Sequence, residues 1–213
     1  MTAADGRDSA SEPSRSVEIE LKFDVDEDTP LPDFGEIAEV ASIGAPELRE
    51  LDARYLDTAE YALASAGYAL RRRSGGPDAG WHIKGPRIGG GRVELGWPLG
   101  EFTDEDVPEA VRAALIEVTD AELRPIARIL NTRTAYALRS AEGTLIAEFV
   151  DDRVTATDVR TGAVRAWREW EVELGPAASA DPRPFFAAVE KAVAAAGGRA
   201  AASASKLARA LGY

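Results

Sequence analysis

Glu18, Glu20 and Lys22 alternate with Val17, Ile19, Leu21 and Phe23. In a strand that period places both carboxylates and the ammonium on one face. Two carboxylates so spaced lie roughly 7 Å apart by the strand rise and repel unless a cation or water intervenes. This face therefore either meets bulk solvent or holds a metal. Near the other end of the chain Glu169, Glu171 and Glu173 alternate with Trp170, Val172 and Leu174. Between the two acidic sets come Arg71 and Arg73, of one parity in the segment Tyr68–Arg73, and then Lys84. A polyphosphate carrying a metal asks for both kinds of group, since carboxylates hold the cation and arginine or lysine holds the phosphate oxygens. Of the 25 basic residues only Lys22, Lys84, Lys191 and Lys206 are lysine, so each is a candidate for a chosen point charge.

The elements that must position these groups are mostly strands. Val17–Phe23, Tyr68–Arg73, Arg92–Trp97, Thr144–Asp152 and Arg168–Leu174 each set a charged face against an apolar one. A sheet with one face in water shows the same alternation, so periodicity alone does not separate it from a barrel with a polar lumen. The segregation of sign favours the charged interior. Further strands are expected over Glu47–Asp57, Asn131–Ser140, Thr144–Val159 and Ala163–Leu174, with Ser74–Gly80, Gly143 and Thr161-Gly162 as turns. Helical patterns are read over Asp33–Val40, Ala59–Ala66, Pro108–Val118, Ala121–Leu130, Pro182–Ala196 and Ser203–Leu211. Residues 1–15 lack an apolar period and are expected to be a disordered tail, leaving 16–213 as one domain.

The 213 residues carry 25 basic and 37 acidic side chains, a net charge of −12, which disfavours a general nucleic-acid surface or an anionic membrane. With no cysteine and one histidine, His82, any metal must be held by carboxylates, the ligands suited to Mg, Mn or Ca. No apolar run reaches the roughly 20 residues of a membrane span and no signal-peptide core is present, so a cytoplasmic protein is expected. His82 shares the parity of Lys84 and reads as a surface or packed residue. Gly89-Gly90-Gly91 is a turn and not a Walker loop, because no Gly-Lys-Ser/Thr follows it. Trp81, Trp97, Trp167 and Trp170 read as packing on the apolar side, and Tyr55 and Asp57 as residues ordering a strand end.

Taken in order, V-E-I-E-L-K, Y-L-D-T, G-Y-A-L-R-R-R, W-H-I-K-G-P, N-T-R-T-A-Y, A-E-F-V-D-D, E-W-E-V-E-L and S-K-L-A-R resemble the CYTH domain, also called the triphosphate tunnel metalloenzymes. The resemblance runs from Val17 to Arg209. It implies an α+β fold: an eight-stranded antiparallel β-barrel, or tunnel, with helices packed outside and a triphosphate held within by Mg2+ or Mn2+. Carried over by position, Glu18, Glu20, Glu171 and Glu173 match the metal ligands, with Glu148 and Asp152 joining them by parity while Asp151 points away. Lys22, Arg71, Arg73, Lys84, Arg92, Arg133 and Lys206 match positions that grip phosphate, and Glu18, Glu20 and Lys22 the catalytic group. The implied activity is metal-dependent hydrolysis of a triphosphate, most simply inorganic tripolyphosphate. A class IV adenylate cyclase, a thiamine triphosphatase and a polyphosphate- or nucleotide-binding module without turnover are the alternatives. The expected partner is a small-molecule triphosphate, with a homodimer left open; the chain's stop soon after Lys206 is read as excluding a fused partner domain.

Overall fold

The computed structural model describes residues 12–88, 90–99, 106–203 and 205–213. Gly89 and most of the N-terminal tail fall outside the described residues. The chain forms two compact units, one of Met1–Val17 with Ala53–Ile126 and one of Glu18–Asp52 with Ala127–Tyr213.

The first unit holds β1 (Ser14–Glu18, whose last residue belongs to the second unit), the end of β4 (Glu47–Asp57), α1 (Ala62–Ser65), β5 (Ala69–Ser74), β6 (Gly80–Ile88), β7 (Gly91–Pro98) and α2 (Glu109–Leu115). β5, β6 and β7 pair as antiparallel hairpins, with a bulge between Lys84 and Arg87. Alternation buries Leu70, Trp81, Ile83 and Trp97 with Leu63 of α1 and Val111 and Leu115 of α2. Asp57 is 2% exposed and accepts hydrogen bonds from the backbone N–H groups of Thr58, Leu63 and Ala64. It thus satisfies the orphan donors at the start of α1, the ordering role expected for it.

The second unit holds β2 (Glu20–Val25), β3 (Ser42–Ile43), the start of β4, β8 (Arg124–Arg139), β9 (Leu145–Asp158), β10 (Val164–Leu174), α3 (Arg183–Ala196), β11 (Arg199–Ala200) and α4 (Lys206–Leu211). β8, β9, β10, β2 and β11 pair in that order, all antiparallel. The apolar face carries Phe23, Phe149, Trp170 and Val172, covered by Phe185, Val189 and Val193 of α3 and by Phe34, Ile37 and Val40. Asp151 also lies on this side. It takes two hydrogen bonds from Arg168 and one from Trp170 Nε1, while Arg168 Nη1 also donates to the carbonyls of Asp26, Glu27 and Thr29. A buried charge is tolerated here because every polar edge finds a partner.

Counting β1 and β2 as one strand broken at Ile19, and setting aside two-residue β3 and β11, eight long strands remain among the described residues. The fold is α+β, with helices on the apolar faces of antiparallel sheet. Two helical expectations fail. Asp33–Val40 is a pair of turns, whose Phe34, Ile37 and Val40 reach the core without helical hydrogen bonds. Ala121–Leu130 is mostly the start of β8, since Ala127–Leu130 pair with Thr155–Asp158 of β9. Replacing Asp57 by alanine removes three charge-assisted bonds and is expected to cost about 2 kcal/mol, read as a lower urea midpoint at unchanged slope.

Candidate metal and phosphate site

Register builds the site on the face of the second unit opposite the core. β10 sets Glu169, Glu171 and Glu173 beside Asp24, Lys22 and Glu20 of β2. On its other side the same three meet Asp152, Val150 and Glu148 of β9. Asp152 in turn opposes Arg133 of β8. Period two keeps all of these on one face, so Asp152 lies on the charged side and Asp151 on the core side.

The charges interlock. Arg133 donates from Nε and Nη2 to Asp152 at 2.8 and 2.7 Å, and from Nη2 to Glu171 at 2.9 Å. Lys206 Nζ stands 2.8 Å from Asp152, 2.5 Å from Glu169 and 2.8 Å from Glu171. Lys22 Nζ bonds Glu20 at 2.8 Å and also Glu171. Lys206 comes from α4, whose first turn is capped by Ser205 Oγ accepting from Ala208 N. The preceding segment is pinned to β2 by the Arg199–Asp24 and Ala200–Phe23 pairs and by Ala201 N donating to Lys22 O.

Burial opposes the charges of Lys22, Arg133, Asp152, Glu171 and Lys206, and their partners prevail. Despite burial, Lys206, Lys22 and Arg133 hold the Glu171 carboxyl well below its ordinary 4.5. Lys206 and Arg133 likewise outweigh burial to hold Asp152 below 3.8. Burial also works against the Lys206 ammonium, yet Asp152, Glu171 and Glu169 raise it well above 10.5. Asp152, Glu169 and Glu171 each offer a carboxylate oxygen, all within 4.8 Å of one another. Buried Glu169 Oε1 lacks a hydrogen bond, the Lys206 ammonium nearby being out of line. Three converging hard oxygens fit a divalent cation.

The sequence-derived candidates divide. Glu20, Lys22, Asp152, Glu171, Arg133 and Lys206 come together in this cluster. Glu148 instead receives a two-pronged bond from Arg49 at 2.9 and 3.0 Å, and Glu173 is exposed. Glu18 is half-buried at the end of β1, beyond the break at Ile19, so Val17–Phe23 is two strands rather than the single one expected. Glu169 was placed on this face but not among the metal ligands, and Arg49 and Trp167 were missed. Glu169 and Trp167 share the parity of Glu171, whereas nothing in the local pattern distinguishes Arg49 from an ordinary solvated strand charge.

Arg71, Arg73, Lys84 and Arg92 belong to the first unit. Arg71 and Lys84 approach Glu94 at 3.3 and 3.5 Å, and Arg73 pairs with Asp78. His82 Nδ1 is 2.6 Å from Glu94 and Nε2 is 2.9 Å from Asp78 O. Burial, with Arg71 and Arg73 nearby, lowers its pKa below 6.5, and a neutral ring can donate to only one of these two acceptors at a time. Arg92 departs from this group: its Nε donates to Gly85 O at 2.7 Å, which ties the guanidinium to the backbone at the bulge of β6.

The cluster in the second unit predicts a stability profile. The depressed carboxyls contribute stability above pH 4.5 that is lost as pH falls through their folded values; the raised Lys206 contributes below pH 10.5 and is lost above it. Lys206→Ala leaves three buried carboxylates, Asp152, Glu169 and Glu171, with one cation fewer among them and is expected to cost about 3 kcal/mol near neutrality. In guanidinium titrations that difference from wild type shrinks below about pH 4.

The CYTH domain model matches residues 16–211. An uncharacterized protein of Mycobacterium tuberculosis, Rv2226, is 38% identical over 215 residues, which cover 95% of this chain but only 42% of that protein. The chain therefore spans about two fifths of the length of this curated relative. Among solved structures, a candidate adenylate cyclase of Bacillus halodurans is similar with TM-score 0.60 and 16% identity, covering 92% of this chain and 97% of that one. HpAC1 of Hippeastrum, a candidate adenylyl cyclase described as having a dominant triphosphatase activity, gives TM-score 0.56 and 19% identity over 91% and 95% of the two chains. With its antiparallel strands, its outer helices and a family match over nearly its whole length, the chain belongs to the CYTH domain family.

Proposed function

We propose that this chain hydrolyses a triphosphate with the help of a divalent cation, Mg2+ or Mn2+, inorganic tripolyphosphate being the simplest substrate. The observation that carries this reading is the meshing of Asp152, Glu169 and Glu171 with Lys22, Arg133 and Lys206 on one sheet face. Each cation there bonds a carboxylate that a phosphate oxygen can replace, and each carboxylate released is an oxygen ligand for a metal. Phosphate and cation thus enter together, each relieving the other's repulsion.

Asp152, Glu169 and Glu171 would hold the metal, with Glu20 beside them. Bound there, a divalent ion neutralises phosphate charge and polarises the phosphorus–oxygen bond. The chain's own part is positional and electrostatic. Lys22, Arg133 and Lys206 donate to phosphate oxygens and offset the charge that gathers on the leaving pyrophosphate as water attacks the terminal phosphorus. Arg71, Arg73 and Lys84 in the first unit offer cations of the same kind. The ionic character of every contact in the cluster favours the triphosphate over binding without turnover, since a pure polyanion binder gains nothing from so many carboxylates. The family match and the triphosphatase activity described for HpAC1 support the reaction class.

The test is phosphate release from tripolyphosphate, ATP and thiamine triphosphate with Mg2+ or Mn2+, scoring cyclic AMP in the ATP reaction. Tripolyphosphate is expected to turn over fastest at saturation, and faster cyclic AMP formation would overturn that choice. Glu171→Gln and Glu20→Gln are expected to lose at least about 100-fold in turnover while keeping the wild-type circular dichroism spectrum. Unchanged activity in Glu171→Gln removes the cluster from the chemistry.

A further inference from the structure

In the first unit His82 opposes Arg71 of β5 on one side and Gly96 of β7 on the other. Charged groups reach it from the elements packed around it. β5 also brings Arg73, β7 brings Glu94, its own strand brings Lys84 and the turn between β5 and β6 brings Asp78, while β1 sets the neutral Ser14 hydroxyl on Gly96 O. Both ring nitrogens face acceptors: Nδ1 is 2.6 Å from a Glu94 carboxylate oxygen and Nε2 is 2.9 Å from the Asp78 carbonyl. Only an imidazolium donates to both. Yet burial and the two guanidiniums disfavour that charge, so the ring is neutral at pH 7. His82 and Glu94 are both buried, and bulk water does not relieve the mismatch. The arrangement is one proton short. Arg71 and Lys84 approach the same Glu94 carboxylate at 3.3 and 3.5 Å, and Asp78 pairs with Arg73. His82 therefore shares its acceptor residues with the three cations that the proposed function assigns to phosphate.

We propose that His82 takes up a proton from solvent as phosphate oxygens occupy Arg71, Arg73 and Lys84, the imidazolium then replacing those cations as the partner of Glu94 and Asp78. The proposal rests on the triphosphate reading above and deepens it. A phosphate arriving at these cations changes the ring's surroundings in two ways. Its negative charge offsets the guanidiniums that repel a proton there, and it draws Arg71 and Lys84 away from Glu94, whose carboxylate is left facing Nδ1. Both changes favour the charged ring. Without the proton, Glu94 would stand as a buried anion beside an incoming polyanion. The coupling is reciprocal: if ligand raises the ring's affinity for a proton, the proton raises the chain's affinity for ligand by the same factor. Binding therefore tightens as pH falls through the interval between the free and the bound midpoints of the ring.

His82 is the chain's one histidine, so its imidazole resonance needs no assignment. The test follows that Cε1–H signal by NMR across about pH 5–8, in the wild-type chain alone and with Mg2+ and an imido-bridged analogue of tripolyphosphate that resists hydrolysis. The midpoint is expected to lie below 6.5 in the free chain and to move upward with the analogue bound. By calorimetry, affinity for the analogue is expected to gain about tenfold more in wild type than in His82→Gln between about pH 8 and pH 6, the ligand's own titration being common to both chains. In Arg71→Gln the free midpoint is expected to stand higher from the outset and the analogue to move it less. A wild-type midpoint that stays in place or falls while the analogue binds overturns the proton uptake alone and leaves the triphosphate reading standing. A folded Arg71→Gln chain that responds as wild type does overturns the exchange of partners at Glu94. Failure of the analogue to bind at any pH overturns both readings.

Discussion

Three cations, Lys22, Arg133 and Lys206, are packed among the carboxylates of Glu20, Asp152, Glu169 and Glu171 on a face that is largely withdrawn from water. Such a network is a poor way to stabilise a sheet, because desolvating each charge costs several kcal/mol and well-packed apolar residues of similar volume often do as well. Its worth lies in being exchangeable. Under the function proposed above, a polyanion would compete for the cations and a metal for the acids, so the contacts that hold the cluster together are the ones a ligand would take over.

The sheet keeps this chemistry separate from its core by parity alone. Asp151 and Asp152 are neighbours in sequence, yet one anchors Arg168 and Trp170 on the α3 side and the other meets Arg133 and Lys206 on the opposite side. Along β10 the same rule sends Trp170 and Val172 into the core and Glu169 and Glu171 into the site. A slip of one residue would exchange the two sets. The long registered ladders among β8, β9 and β10 prevent it.

Much of this was legible because strands write their faces into the sequence. Glu47–Asp57 was bounded as observed, and the charged faces of β9 and β10 followed from alternation. The failures have physical causes. Asp33–Val40 places apolar residues at helical spacing, but two successive turns deliver Phe34, Ile37 and Val40 to the same core. In Ala121–Leu130 the apolar residues suited either period, and pairing with β9 decided it. The break at Ile19 was invisible, since V-E-I-E-L-K-F alternates perfectly across it. Glu169 stood on the acidic face from alternation alone and was left out only of the ligand set; Trp167 could have been found by extending that parity one step, whereas Arg49 is identified only by its bond to Glu148, 99 positions away.

Lys206 is tethered on both sides. Ahead of it stand two paired residues of β11, the Ala201–Lys22 backbone bond, the Ala202 N bond to Asp24 and a side-chain cap; behind it Arg209 pairs with Asp24 and Ala210 O accepts from Arg165. Local opening of this short segment would carry an ammonium away from Asp152, Glu169 and Glu171 without melting the long ladders of the sheet. The least protected amides around the site should therefore be those just ahead of α4, and occupancy by an anion that needs Lys206 should slow their exchange with solvent.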